Sequence, residues 1–97
     1  MTEKEKMLQG LLYNASDPEL TAERIRVKKL LYQLNVSGYD PEKGDTYKNI
    51  LRELLPHSAP DLFIEPPFYC DYGYNIECGN GVYMNHNVII LDGTKVT

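Results

Sequence analysis

The chain has 97 residues, 42% of them hydrophobic and 25% charged, a composition typical of one globular domain or two small subdomains. Its net charge of −4 and pI near 5.0 provide no basic surface for DNA, RNA or an anionic membrane, and predict an acidic cytoplasmic protein. No segment approaches the roughly 20 apolar residues of a membrane span, and the mixed-charge start is unlike a secretory signal.

The first half of the chain is predicted to be helical. Thr2 and Glu5 have the spacing of a capping box, and so do Ser16 and Glu19. The second helix is predicted to end at Ser37-Gly38 and Pro41, and a third covers residues 46–55. The predicted buried stripes are Met7, Leu8, Leu11 and Leu12; then Leu20, Val27, Leu30, Leu31 and Leu34; then Tyr47, Ile50, Leu51 and Leu54.

The character of the chain changes near residue 57, where four prolines lie within residues 56–67. Residues 1–57 are predicted to form a helical segment that packs as a cap, and residues 58–97 are predicted to form coils. In the coil region an apolar residue returns at almost every sixth position, in two series. These are Ile64, Cys70, Ile76, Val82 and Val88, and Tyr72, Cys78, Met84, Ile90 and Val96.

A period of six is typical of a parallel β-helix with three flat sides, each one hexapeptide long. With about 18 residues per turn, both series point inward and successive turns stack. The predicted stacked pairs are Ile64 with Val82, Cys70 with Val88, Tyr72 with Ile90, and Cys78 with Val96. Cys70 and Cys78 match no zinc spacing and are interpreted as small core residues, with a disulfide or metal pair as the alternative.

Several segments together resemble the maltose and galactoside O-acetyltransferases, over essentially the whole chain. The most specific of them is Glu-Pro-Pro followed by Asp-Tyr-Gly-Tyr-Asn-Ile, within residues 64–76. The others are residues 4–7, 12–15, 23–26, 83–85 and 91–93. The resemblance implies a left-handed parallel β-helix preceded by helices, mainly β and incomplete in this chain, and a homotrimer. It also implies transfer of an acetyl group from acetyl-CoA to a sugar hydroxyl, with no metal.

This chemistry requires a base for the sugar hydroxyl and a fixed donor for the oxyanion of the tetrahedral intermediate. The resemblance implies that the base is a histidine located, like the CoA-binding residues, in coils after Thr97. The 97 residues alone are therefore expected to be inactive and to carry part of the acceptor site. His57 and His86 are interpreted as structural, at a connector and at a coil corner.

The resemblance implies site roles for five residues. Asn85 would stabilise the intermediate, although asparagine also suits tight left-handed corners. The substrate-binding candidates are Asp71, Tyr83, Asn85, Asp92 and Arg24. Asp92-Gly93 could equally be a turn, and Gly93 replaces a second acid of galactoside-acetylating members, which points to a maltose- or glucose-like acceptor. Arg24 and Arg26 could equally form a solvated helix face.

Three classes of function remain open from the sequence. The first is a sugar O-acetyltransferase, and the second is a hexapeptide acyltransferase for another small acceptor. The third is a non-catalytic oligomerising module. Val88, Ile90 and Val96 would cap an open coil end, so the chain is predicted to trimerise, to pair with another copy, or to continue into further coils.

Overall fold

A computed structural model describes residues 1–38 and 45–97, in which three helices precede four short strands. The helices are α1 (Glu3–Leu8), α2 (Pro18–Ser37) and α3 (Thr46–Leu54). The strands are β1 (Phe63–Ile64), β2 (Phe68–Cys70), β3 (Tyr83–Met84) and β4 (Val88–Ile90). The helices in these two ranges are all too short or too polar to cross a bilayer. The predicted helix break at Pro41 lies outside the described residues.

The capping box that opens α1 is confirmed. The Glu5 amide donates to Thr2 Oγ1 at 3.0 Å, and the Thr2 amide donates to Glu5 Oε1 at 3.1 Å. Hydrogen bonding of the Glu5 carboxyl, first to the Thr2 backbone and then to the Thr2 hydroxyl, holds its pKa below the usual value. The predicted buried stripe is wrong beyond Met7, because the helix ends at Leu8 and Gly10 follows with a φ of +75°. Leu8, Leu11 and Leu12 are therefore exposed.

Helix α2 begins one residue later than the second predicted capping box requires. The N-cap is Asp17 instead of Ser16, and its carboxylate accepts from the amides of Glu19 and Leu20. Pro18 occupies the first helical position, where a missing N–H costs nothing. The predicted stripe is confirmed, since Leu20, Val27, Leu30, Leu31 and Leu34 are all buried.

Helix α3 matches its prediction to within one residue at its C-terminal end. Its four predicted inward side chains, Tyr47, Ile50, Leu51 and Leu54, are all buried. They share one hydrophobic core with α2 and with Ile64, Phe68 and Cys70 of the strands. The helices and the strands therefore bury their apolar surface against each other, as layers around a single core.

The strands pair in parallel on two sides of a coil, and an isolated parallel bridge marks a third. Strand β1 pairs with β3, β2 pairs with β4, and Ile76 bridges to Val96. In each pairing the partners are 20 residues apart: Ile64 with Met84, Cys70 with Ile90, Ile76 with Val96. Two turns of chain are thus stacked in a common register.

The predicted offset of 18 residues, and with it all four predicted stacked pairs, is therefore wrong. Inward residues remain six apart within each turn, but eight positions separate Ile76 from Met84. The two additional residues lie in the stretch 77–83, where Gly81 has a φ of +75° and donates its amide to Asp61. Tyr72 does not stack in the coil and instead packs with Met7 and Leu20 in a second, smaller cluster.

Candidate functional site

The corner that follows β2 concentrates most of the buried polar groups in the described part of the chain. There residues 71–75 of the first turn lie against Asp92 of the second turn. The loop of residues 71–75 is called the corner loop below. Helices α1 and α2 reach the same corner through Met7, Leu20 and polar side chains.

Asp92 is completely buried and accepts four backbone hydrogen bonds from the corner loop. Its Oδ1 accepts from the amides of Asp71 at 3.1 Å and Tyr72 at 2.9 Å. Its Oδ2 accepts from the amides of Gly73 at 2.7 Å and Asn75 at 3.3 Å. The Asn75 side chain donates back to the Asp92 carbonyl at 2.9 Å. Both oxygens are thus used inside the protein, so the predicted direct contact between Asp92 and a substrate does not fit this geometry.

Gly73 allows the corner loop to pass the end of α3. Its φ is +83°, and a Cβ at this position would lie 2.0 Å from the backbone oxygen of Leu54. Only glycine avoids both the strained backbone and the collision. The loop is therefore bounded by Asp92 on one side and by the last turn of α3 on the other.

Arg24 contacts the corner loop through Tyr72. Its guanidinium donates to the Tyr72 hydroxyl at 2.7 Å and to the carbonyl of Ala15 at 2.7 Å. Burial raises the pKa of Tyr72, and the guanidinium opposes part of that rise. Arg24 thus ties the segment before α2 to the corner loop, whereas Arg26 is exposed on the same helix.

Tyr74 connects the corner loop to both N-terminal helices. Its hydroxyl donates to Glu23 at 2.8 Å, and Glu23 forms an ion pair of 2.7 Å with Lys4. The Lys4 ammonium also lies 4.8 Å from the centre of the Tyr74 ring. Burial, and then the hydrogen bond to the Glu23 carboxylate, raises the pKa of Tyr74. Tyr74 therefore remains a neutral donor.

Asp71 differs from the other polar residues of the corner loop. Tyr72, Tyr74 and Asn75 all use their side chains in hydrogen bonds, whereas in the described part of the chain the Asp71 carboxylate accepts none. The side chain is half-buried, so one part of it faces solvent. A rigid loop thus presents one free carboxylate.

Tyr83 lies in β3, and Asn85 lies at the corner between β3 and β4. The Tyr83 ring is exposed and stacks on Phe63 at 5.8 Å with an interplanar angle of 2°. The exposed Asn85 uses its Oδ1 to accept from the His86 amide at 2.8 Å, and its NH₂ group has no hydrogen-bond partner among residues 1–38 and 45–97. His86 Nδ1 bonds to the carbonyl of Pro66 in the turn below, consistent with its structural interpretation.

One chain does not bring all the predicted site residues together. Asp71, Asp92 and Arg24 belong to the corner loop and its contacts, whereas Tyr83 and Asn85 are separated from them along the second turn by β4. His57 is exposed on the connector after α3. A cavity of about 270 Å³ lies near that connector, between α3 and residues 55–62, and contains none of the predicted site residues.

Sequence reasoning did not find Tyr72, Tyr74, Glu23 or Lys4 as members of this corner. Their contacts join residues 19 to 51 positions apart, so no local pattern reveals them. No group of three His, Cys, Asp or Glu side chains within residues 1–38 and 45–97 has the geometry of a metal site.

Comparisons with known proteins agree on one family. A family model described as the maltose acetyltransferase hexapeptide capping motif matches residues 6–59, more than half of the chain. Nodulation protein L of Rhizobium meliloti (strain 1021) is 45% identical over 96 residues, which cover 99% of this chain and 51% of that protein.

Two solved structures resemble the chain in fold and in sequence. A maltose O-acetyltransferase from Clostridium difficile 630 superposes with a TM-score of 0.87 at 38% identity, covering 98% of this chain and 50% of the other. A galactoside acetyltransferase in complex with coenzyme A superposes with a TM-score of 0.85 at 30% identity, covering 100% and 48%. The chain thus spans about half the length of these relatives.

Proposed function

This chain belongs to the maltose and galactoside O-acetyltransferase family of hexapeptide-repeat acyltransferases, and from that premise we propose that it contributes the acceptor side of a sugar O-acetyltransferase. The donor is acetyl-CoA, and the acceptor is the hydroxyl of a maltose- or glucose-like sugar. The complex of a similar acetyltransferase with coenzyme A supports the donor. The general base and the CoA-binding residues are assigned to the part of the relatives that this chain does not match.

The free carboxylate of Asp71 is the observation that carries the acceptor role. Hydroxyl-rich ligands are oriented by a few fixed hydrogen-bond partners, and a carboxylate accepts from two sugar hydroxyls at once. Because Asp92 and Gly73 hold the corner loop, Asp71 is fixed before the sugar arrives. Orientation of a reactant in this way lowers the entropic part of the barrier.

We assign stabilisation of the tetrahedral intermediate to Asn85. Its Oδ1 is occupied by the His86 amide, so its exposed end is the NH₂ group. An oxyanion needs a fixed donor, and an amide NH₂ is a neutral donor of this kind. The exposed, stacked ring of Tyr83 lies two residues away and would provide a flat surface for the sugar ring. Arg24 acts on the acceptor through Tyr72, because its Nη1 already donates to the Tyr72 hydroxyl and its Nη2 to the Ala15 carbonyl.

The fold proposed for the complete protein is a left-handed parallel β-helix. Residues 1–57 form its helical cap and residues 58–97 its first coils, and the core shared by helices and strands supports this division of roles. The proposal also includes a left-handed coil, a homotrimer and a cytoplasmic location. Exposed apolar side chains on the outer face of β2 and β4, Tyr69, Ile89 and the adjoining Leu91, support association between copies.

Acetyl transfer is the direct test of the proposal. The complete translation product that carries this sequence is assayed for thiol release from acetyl-CoA with maltose, glucose, a galactoside and a small amine, and the 97-residue chain is assayed in parallel. We expect turnover with maltose or glucose from the complete product and none from the 97-residue chain. Turnover with the amine alone would favour an acyltransferase for another acceptor. The absence of transfer to every acceptor would favour a non-catalytic module.

Asp71→Asn tests the acceptor role within the same assay. We expect the KM for the sugar to rise about tenfold or more, because a hydrogen bond to a charged group is worth about 1.5–3 kcal/mol, while the KM for acetyl-CoA stays unchanged. Glu53→Gln is the matched control, since the Glu53 carboxylate is exposed on α3 and forms no hydrogen bond or ion pair within the described residues. An unchanged sugar KM in Asp71→Asn would contradict the assignment.

Sedimentation of the same preparations measures their molar mass and so tests the proposed homotrimer.

A further inference from the structure

We propose that Asp92 is a positioning residue that sets the direction of the Asp71 carboxylate, and that it does not touch the acceptor. This inference rests on the proposed function, because it assigns the acceptor contact to Asp71. Asp92 is completely buried, and each of its carboxylate oxygens accepts two backbone hydrogen bonds. A buried carboxylate without such partners would be strongly disfavoured.

The four donors are arranged as a small anion site made of backbone. The amides of residues 71, 72, 73 and 75 converge on one carboxylate from the neighbouring turn of the coil. Successive amides that point to one place form a nest that favours negative charge. A neutral amide in place of Asp92 would offer one acceptor atom and would point an NH₂ group at two of these donors. The charge and both oxygens of Asp92 are therefore needed for the observed shape of the loop.

The first of these donors belongs to Asp71 itself. The four bonds from the corner loop to the Asp92 carboxylate are called the Asp92 clamp below. The Asp71 amide donates to Asp92 Oδ1 at 3.1 Å, so the clamp directly fixes the backbone from which the Asp71 side chain projects. The loop cannot shift toward α3, because Gly73 already passes close to the Leu54 backbone. From the other side Arg24 and Glu23 hold Tyr72 and Tyr74. Loss of the Asp92 side-chain bonds would remove the direct restraint on the Asp71 backbone and leave only contacts farther along the loop, those of Tyr72, Tyr74 and Asn75, among the described residues.

The Asn75 side chain completes the clamp in the opposite direction. Its Nδ2 donates to the Asp92 carbonyl at 2.9 Å, which ties the backbone of the second turn to the loop of the first. Asn75 and Asp92 are therefore reciprocal partners, one through its side chain to a carbonyl and the other through its side chain to an amide. Both are buried, so neither is available to a ligand.

A double-mutant cycle separates positioning from a general structural effect. The complete translation product is prepared as wild type, Asp71→Asn, Asp92→Asn and the double variant, with Glu53→Gln as the control. We expect Asp92→Asn to lower kcat/KM for the sugar about tenfold or more and to leave the KM for acetyl-CoA unchanged. In the Asp71→Asn background, Asp92→Asn is expected to lower kcat/KM for the sugar less than about threefold, because the Asp71 carboxylate through which it acts is already removed.

An equal loss of kcat/KM on Asp92→Asn in the wild-type and Asp71→Asn backgrounds would overturn the inference. A direct contact between Asp92 and the sugar, or a general loss of structure, would lower kcat/KM by the same factor whether or not the Asp71 carboxylate is present. If Asp92→Asn does not fold, Asn75→Ala is used in the same cycle; it removes one bond of the clamp and keeps the carboxylate, and we expect a smaller loss that again disappears without Asp71. Wild-type protein without sugar acetylation would overturn the proposed function itself. Active wild type with additive losses would overturn the positioning role alone.

Discussion

The hydroxyl of Tyr47 on α3 takes the place of a neighbouring strand for Ile64 in β1. It donates to the Ile64 carbonyl at 2.6 Å and accepts from the Ile64 amide at 2.8 Å. The amides on either side, those of Phe63 and Glu65, donate to the second turn instead. Asn35 on α2 forms the same pair of bonds with Phe68 of β2: its Oδ1 accepts from the Phe68 amide at 2.8 Å, and its Nδ2 donates to the Phe68 carbonyl at 2.9 Å. Two helix side chains thus satisfy the lower edge of the coil, which would otherwise attract another strand.

Removal of the Tyr47 hydroxyl should be costly for its size. We expect Tyr47→Phe to lower the free energy of unfolding by about 2–4 kcal/mol, because it leaves a buried amide and a buried carbonyl of Ile64 unpaired, and each such group costs about 1–3 kcal/mol. Urea unfolding measures the difference. Tyr32→Phe is the control, since Tyr32 is 70% exposed and its loss should stay within about 0.5 kcal/mol. Equal effects of the two substitutions would contradict the edge-capping role.

The Asn35 contact can be tested with a change of one atom type. Asn35→Asp keeps an acceptor for the Phe68 amide but loses the donor to the Phe68 carbonyl and places a charge beside it. We expect a loss of about 1–3 kcal/mol. Gln33→Glu makes the same chemical change on the exposed side of α2 and should be nearly neutral. A stable Asn35→Asp variant would mean that the lower edge of β2 needs no partner.

Gly73 should not accept even alanine. A Cβ there would lie 2.0 Å from the Leu54 oxygen at a φ of +83°. We expect Gly73→Ala to lower the free energy of unfolding by about 2–4 kcal/mol, because a backbone cost of about 1 kcal/mol adds to an overpacking cost of about 1–3 kcal/mol. Gly81→Ala provides the control: its φ is +75°, but nothing lies within 4 Å of the added atom, so only the backbone cost of about 1 kcal/mol remains. Thermal or urea unfolding of both variants distinguishes the two costs.

The two thiols should differ in reactivity. Burial, and then the charges of Asp92 and Asp71, raise the pKa of the Cys70 thiol from 9.0 to about 12, whereas Cys78 is only half-buried. Because the thiolate is the reactive form, we expect one thiol to react quickly with a disulfide reagent at pH 8 and the second only after unfolding. Cys78→Ala should remove the fast reaction. A fast reaction that survives in Cys78→Ala would show that Cys70 is accessible and ionised.

The raised pKa of Cys70 also predicts how the stability of the fold changes at alkaline pH. A raised pKa means that folded Cys70 keeps its proton where the unfolded chain loses it, so this contribution to stability is complete below pH 9 and is lost as the pH rises toward 12. The raised pKa values of Tyr72 and Tyr74 act in the same direction above pH 10. Cys70→Ala should therefore show a shallower loss of stability between pH 9 and 10 than wild type. Equal slopes would contradict the shift.

Local patterns in the sequence were sufficient for the cap of α1 and for the buried faces of α2 and α3, but not for the stripe predicted after Met7. A capping box needs only two residues three apart, and the stripes of α2 and α3 follow from apolar residues at helical spacing, so both were predicted correctly. The prediction of Ser16 as the N-cap of α2 is wrong by one residue, because serine and aspartate both cap well and Pro18 at the first helical position favours Asp17.

The period of six, with Ile64, Cys70 and Ile76 as inward residues of the first turn, could be predicted from the sequence because it depends on chain geometry within one turn. Tyr72 is an exception, because it packs against Met7 and Leu20 of the helices. The register could not be predicted, because it depends on contacts between turns: two additional residues in the stretch 77–83 move every partner from 18 to 20 positions away and leave the spacing of six within each turn unchanged. The same holds for the candidate site. Asp92 and Arg24 carry the residue types expected of substrate ligands, but whether a charged group faces a ligand or the backbone depends on which distant amides and hydroxyls reach it first. For Asp92 those are four amides from 17 to 21 residues away, which no spacing in the sequence announces.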